Sequence, residues 1–123
     1  MTAPHRHLER TRGRILDESE RLRVASEVQL VEVDGPAPAV PRGTLHLGLT
    51  DRRLLVVATS LVTRRPRLIS EWPTGGLAIS ITRRRLGGNL IHIATTSPER
   101  VQLSFEWVRG HRPRDWEPYR FRQ

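Results

Sequence analysis

The chain has no cysteine and no lysine, only one methionine and one tyrosine, and no apolar run longer than the five residues 54–58. Without cysteine there is no disulfide framework and no thiolate metal site. The apolar runs fall far short of the roughly 20 residues that a membrane-spanning helix needs. Arginines stand near the N-terminus with no apolar stretch behind them, which does not read as a secretory signal. The expected location is therefore cytoplasmic, or peripheral at a membrane. Aromatics are also sparse, at six Phe, Trp or Tyr in 123 residues. None of them stands among the arginine triplets Arg64-Arg65-Arg67 and Arg83-Arg84-Arg85, as the stacking platforms of single-strand nucleic-acid binders do.

Catalytic and metal signatures are missing too. A tetrahedral metal site needs three or four converging ligands. Of the five histidines, His5 and His7 lie near the terminus, while His46 and His92 fall on the polar faces of separate strands. Ser60, Ser70 and Ser97 lack a nucleophile-elbow context, and Gly75-Gly76 and Gly87-Gly88 read as turns rather than phosphate loops. No enzymatic activity, metal or cofactor is expected.

What the chain does contain is arginine and short aliphatic alternation. All 21 basic residues are arginine, a bias that GC-rich codon usage produces. Physically, it gives every cation a permanent charge and a planar fork of donors suited to carboxylate or phosphate. Residues 1–63 hold nine arginines against eight acids, while 64–123 hold twelve against five, so the excess of +8 lies almost wholly in the second half. Such asymmetry implies an anionic partner: an acidic protein, an anionic lipid surface or a nucleic acid.

The length fits one domain with a core that needs no disulfide. Residues 1–20 read as a helical extension, with Leu8, Ile15 and Leu16 as a thin apolar stripe broken by Gly13. From there the period is two. Leu45, Leu47 and Leu49 alternate with Thr44, His46 and Gly48; Leu77, Ile79 and Ile81 with Ala78, Ser80 and Thr82; Val101, Leu103, Phe105 and Trp107 with Gln102, Ser104 and Glu106. Seven strands are predicted, at about 24–33, 43–49, 52–59, 67–72, 77–84, 89–95 and 100–107. Their shortness and regular spacing indicate a mostly β fold, an antiparallel sandwich or small barrel. The all-apolar 54–58 segment implies burial on both faces or strong curling. Residues 108–123 form a basic aromatic tail whose Pro113 and Pro118 oppose a long helix.

The segment Gly43-Thr44-Leu45-His46-Leu47-Gly48-Leu49-Thr50-Asp51-Arg52-Arg53-Leu54-Leu55, followed later by Ile69-Ser70-Glu71-Trp72-Pro73, resembles the bacterial pleckstrin-homology-like (PH-like) domains. The likeness covers about residues 20–107. It implies a strongly bent seven-stranded antiparallel sheet with one open end plugged by a C-terminal helix. The proline-broken tail departs from that pattern, so the helix is expected to be missing, short or replaced by residues 4–16. The resemblance also implies a non-catalytic binding module for a protein partner or an anionic membrane surface, with a nucleic-acid-binding small β-barrel as the alternative. Phosphoinositide binding of the eukaryotic type is not implied, because the loop 34–42 is acidic and proline-rich and holds only Arg42.

Candidate contact residues are Arg64, Arg65 and Arg67, then Arg83, Arg84 and Arg85, and Trp116 in the tail. Tryptophan and arginine are enriched where binding energy concentrates. The tail could dock on a partner or on its own barrel. Arg52 and Arg53 read as structural, paired with Asp51 or Glu71, and Trp72 and Trp107 as core residues.

Overall fold

The computed structural model describes residues 2–36, 40–41, 43–60, 62–84, 88–96, 99–108 and 113–119. Arg42 and Arg85 lie outside the described residues. A helix α1, Ala3–Glu9, precedes seven strands: β1 Leu22–Asp34, β2 Thr44–Thr50, β3 Arg53–Thr59, β4 Pro66–Pro73, β5 Ala78–Thr82, β6 Leu90–Thr95 and β7 Val101–Trp107. A 3₁₀ helix, Pro113–Tyr119, follows. All pairings are antiparallel and form one sheet in the order β4-β3-β2-β1-β7-β6-β5. The sheet is open, with β4 and β5 at its edges.

The long strand β1 joins two halves of the sheet. Its first part, from Leu22 to Gln29, pairs with β2, and its second, from Val28 to Asp34, pairs with β7. Register shifts at Leu22/Val24 and Leu30/Glu32 in β1, and at Val56/Val57 between β3 and β4, supply extra twist and bend. Curling is required by burial. Leu45, Leu47, Leu54, Val56, Ile91 and Phe105 are all at most 1% exposed, and the only other layer described on that face is the seven-residue 3₁₀ helix. A single sheet buries its own face only by folding over it.

The 54–58 segment is explained by two hydrophobic clusters, one on each face. Leu54 and Val56 point into the main core with Val24, Val28, Leu47, Phe105 and Trp116. Leu55 and Val57 point outward, where Leu8, Leu16, Leu22 and Ala25 cover them. Thus the N-terminal segment does not replace the plug, as the proline argument allowed. It straps the outer face instead. Helix also stops earlier than expected, at Glu9, and residues 10–21 run as turns, with Gly13 at φ +91° accepting a conformation that costs other residues steric strain.

Gly48 makes this strap possible. It sits on the outer face of β2, where a Cβ would lie 2.6 Å from Leu8 Cδ1. Gly48→Val is expected to cost about 2 kcal/mol through overpacking and to lift α1 off the sheet. Chemical denaturation checks the energy. A double-mutant cycle with Leu8→Ala should recover part of the loss, since trimming Leu8 clears the clash.

Candidate functional site

The β3–β4 connection is shaped by its own hydroxyl groups. Ser60 Oγ accepts from the backbone N–H groups of Val62 and Thr63, both at 3.3 Å. The N–H of Arg64 donates to the Ser60 carbonyl at 2.8 Å, and that of Ser60 to the Arg65 carbonyl at 3.2 Å. Arg64 is the one non-glycine described with a positive φ, at 57°, a left-handed conformation that stores strain in a residue with a Cβ. Pro66 then forces Arg65 toward extended backbone and opens the edge strand β4, where its missing N–H leaves no gap in a ladder. The result projects Arg64, Arg65 and Arg67 to the exposed side.

Beside them lies a cleft of about 600 Å³. Pro41 from the β1–β2 loop, Ala58 and Thr59 from β3, Ser60, Thr63 and Arg65 from the connection, and Pro66 and Arg67 from β4 form its walls. Three hydroxyls and two guanidinium groups line it, with no carboxylate among them. Among the described residues, Arg64, Arg65 and Arg67 make no ion pair. At the tip of the same connection Val62 is 92% exposed, far more than Val31 at 51% or Val33 at 38%.

Arg52 and Arg53, by contrast, are engaged within the molecule. Arg53 donates to the Glu20 carboxylate at 2.8 and 2.9 Å, to Glu71 at 2.7 Å and to the Ile15 carbonyl at 2.6 Å. Arg52 donates to Asp17 at 3.0 Å and to Ser19 at 2.7 Å. Glu71 thus pairs with Arg53 as expected. Asp51 instead accepts the Arg21 N–H at 3.1 Å. A second cleft, of about 530 Å³, is lined by Arg52 and Arg53, but an anion entering it would have to displace these internal carboxylates.

The second arginine group does not join the first. Arg67 pairs across to Ala58 on the edge strand β4, whereas Arg83 and Arg84 follow β5 at the opposite edge of the sheet. Arg83 pairs with Glu117 of the 3₁₀ helix at 2.7 Å. The backbone N–H of Arg84 donates to Asn89 Oδ1 at 3.1 Å.

Trp116 is corrected from a partner contact to a core residue. It is 0% exposed, and its indole N–H donates to Ser26 Oγ at 2.8 Å inside the main cluster. The physical reason is that the curled sheet leaves an apolar opening, and a large aromatic with one polar handle fills it. Trp72 and Trp107 are core residues as expected, at 4% and 5% exposure.

Among the described residues no cluster of His, Asp and Glu could hold a metal ion, and no helix is long and apolar enough to cross a membrane. His92 bridges Ser104 Oγ and Thr82 Oγ1, each at 2.8 Å, as a cross-strand polar ladder. Sequence reasoning missed Val62, whose signal was the apolar pair Leu61-Val62 set between Ser60 and Thr63-Arg64-Arg65 in a polar connection. It also missed Glu20 as the main partner of Arg53, which lies 33 positions away. No protein-family model matches the chain, and no curated protein is significantly similar to it.

Proposed function

We propose that the chain is a non-catalytic, PH-like binding module that docks on an anionic membrane surface through its β3–β4 connection. One observation carries this reading: three arginines without counter-ions, Arg64, Arg65 and Arg67, collar the exposed apolar tip Val62. Each basic side chain near an anionic leaflet is worth about 1 kcal/mol. An apolar tip adds burial at the headgroup boundary, and a bare cation bears no cost of breaking an internal pair. A nucleic acid is disfavoured as occupant. Trp72, Phe105, Trp107 and Trp116 are buried, so no described Trp or Phe offers a stacking face beside these arginines. A protein partner with an acidic surface is the competing reading.

Co-sedimentation with vesicles of phosphatidylglycerol in phosphatidylcholine tests the proposal. Binding should weaken with added salt, as screened charges do. It should vanish on pure phosphatidylcholine. Arg65→Ala with Arg67→Ala should lower vesicle affinity about 30-fold, while Arg52→Ala leaves it nearly unchanged because that guanidinium is already paired. Equal binding to neutral vesicles would remove the membrane reading. Vesicle binding that is absent, together with a pull-down partner lost in the same double variant, would replace it with the protein reading.

A further inference from the structure

We infer that the chain dimerises with a second copy of itself by antiparallel pairing along the open edge of strand β5. The inference is independent of the docking reading above. The sheet ends in two edge strands, β4 and β5, and they differ in how they are protected. Strand β4 carries the usual guards against a further strand: Pro66 and Pro73 at its ends, the charged Arg67 and Glu71 within it, and a register shift opposite Val56/Val57. Strand β5, Ala78-Ile79-Ser80-Ile81-Thr82, has no proline, no charge and an unbroken register with β6. Its isoleucines and threonine favour a strand. An unguarded edge of this kind presents backbone N–H and C=O groups as a template for another strand.

Within the molecule that edge is left open. Among the described residues, β6 is the only strand bonded to β5, and no backbone hydrogen bond reaches β5 from the 3₁₀ helix. That helix approaches from the inner side, where Trp116 and Ile79 share the main core, and its Glu117 pairs with Arg83 beyond the end of the strand. Ser80 and Thr82 are exposed on the outer side. Ile81 shares the inward face with its cross-strand neighbour Ile91, yet is only half-buried.

Charge selects the occupant. At a net +8, two copies repel each other unless they meet where neither carries charge. The two longest stretches without arginine, aspartate or glutamate are 72–82 and 86–98, and they hold β5 and its neighbour β6. Antiparallel pairing centred on Ser80 is self-complementary, as a two-fold interface requires. It sets Ser80 opposite Ser80, Ala78 opposite Thr82 and Ile79 opposite Ile81, so that the half-buried Ile81 of each copy is covered by an isoleucine of the other. Continued past the strand, Arg83 falls opposite Leu77 and not opposite another arginine. In-register parallel pairing would instead set arginine beside arginine, which is unfavourable. A five-residue edge buries little surface, so the dimer is a weak one.

Sedimentation velocity of the full chain from about 1 µM to about 500 µM tests this. Wild type should pass from monomer to dimer with a midpoint of about 50 µM. Ser80→Lys brings two like charges together on the two-fold axis, and Ser80→Glu does the same with the opposite sign. Each alone should weaken dimerisation about tenfold or more. An equimolar mixture of the two should restore it, because opposite charges then face each other. Urea unfolding checks that both variants fold, as expected for substitutions at an exposed position. Hydrogen exchange gives a readout that needs no variant: protection at 78–82 should rise with protein concentration while that of β4 stays constant. A wild type that remains monomeric throughout would overturn the inference. So would a dimer left intact by both Ser80 variants, a mixture that stays monomeric, or exchange at 78–82 indifferent to concentration.

Discussion

Trp116→Ala should lower the stability of this protein by about 4 kcal/mol, in the range for emptying a buried tryptophan site. The residue is wholly buried, and it joins core side chains drawn from the strands of both halves of the sheet. Its removal leaves a cavity that a curled sheet cannot close without sliding its strands. It also strips Ser26 Oγ, itself on a residue only 2% exposed, of its indole donor at 2.8 Å, and an abandoned buried polar group adds its own cost. Trp116→Phe should recover most of the packing but not the hydrogen bond, and so fall between the two. Equilibrium unfolding in urea, read by far-UV circular dichroism, measures all three proteins. A change below about 1 kcal/mol for alanine would mean that the 3₁₀ helix decorates the core rather than completing it.

The β architecture was legible because its signal is periodic. Val101, Leu103, Phe105 and Trp107 alternate inward without a break, and the strand was expected within one residue of its place at Val101–Trp107. The same holds for Leu45, Leu47 and Leu49 in β2. The tail was not legible in this way. Trp116 stands among Arg114, Asp115, Glu117 and Pro118, a context that reads as surface, and nothing local reveals that a core 90 residues away in sequence needs one more aromatic. The second cluster was hidden for a related reason. Leu8 and Leu16 are too few to announce a face, and their partners Leu55 and Val57 lie in a run where both faces are apolar.

The candidate site was half visible. Charge counting isolated Arg64, Arg65 and Arg67, since arginine runs survive any folding. Their lack of counter-ions depends on which acids fold nearby, and sequence distance does not report that. Arg52-Arg53 looks equally basic in the sequence, yet folding surrounds it with Asp17, Glu20 and Glu71. Bare and satisfied arginines are told apart only by tertiary structure.

Arg53→Ala should be the most damaging single charge change, costing about 3–5 kcal/mol near neutral pH, as expected when one partner of a buried pair is removed. Glu20 has a side chain that is 0% exposed. Hydrogen bonds from Arg53 chiefly, with help from Thr50 at 2.7 Å and the Asp17 N–H at 3.2 Å, hold its carboxyl at about 2 instead of 4.5, against the opposing effect of burial. Because the folded carboxyl is the more acidic, the ionised form favours the native state. That stability is fully present above about pH 4.5 and is lost as pH falls toward about 2. A difference of that size corresponds to about 3 kcal/mol. In Arg53→Ala the carboxylate stays buried without its main donor, so its pKa should rise, and the variant should approach wild-type stability as acid protonates Glu20 in both. Glu20→Gln should remove this acid-sensitive stability, with the loss largest above about pH 4.5 and fading toward about pH 2, yet should cost less at neutral pH than Arg53→Ala, because Arg53 keeps Glu71 at 2.7 Å and the Ile15 carbonyl at 2.6 Å. The lock also fixes the strap, since Ile15 and Glu20 belong to the N-terminal segment while Thr50 and Arg53 bracket the β2–β3 turn. Its loss should therefore speed hydrogen exchange in residues 10–21 before the sheet responds. Denaturation curves for the three proteins at several acid pH values decide the matter, and parallel pH profiles for wild type and Arg53→Ala would show that the pair does not hold the strap to the sheet.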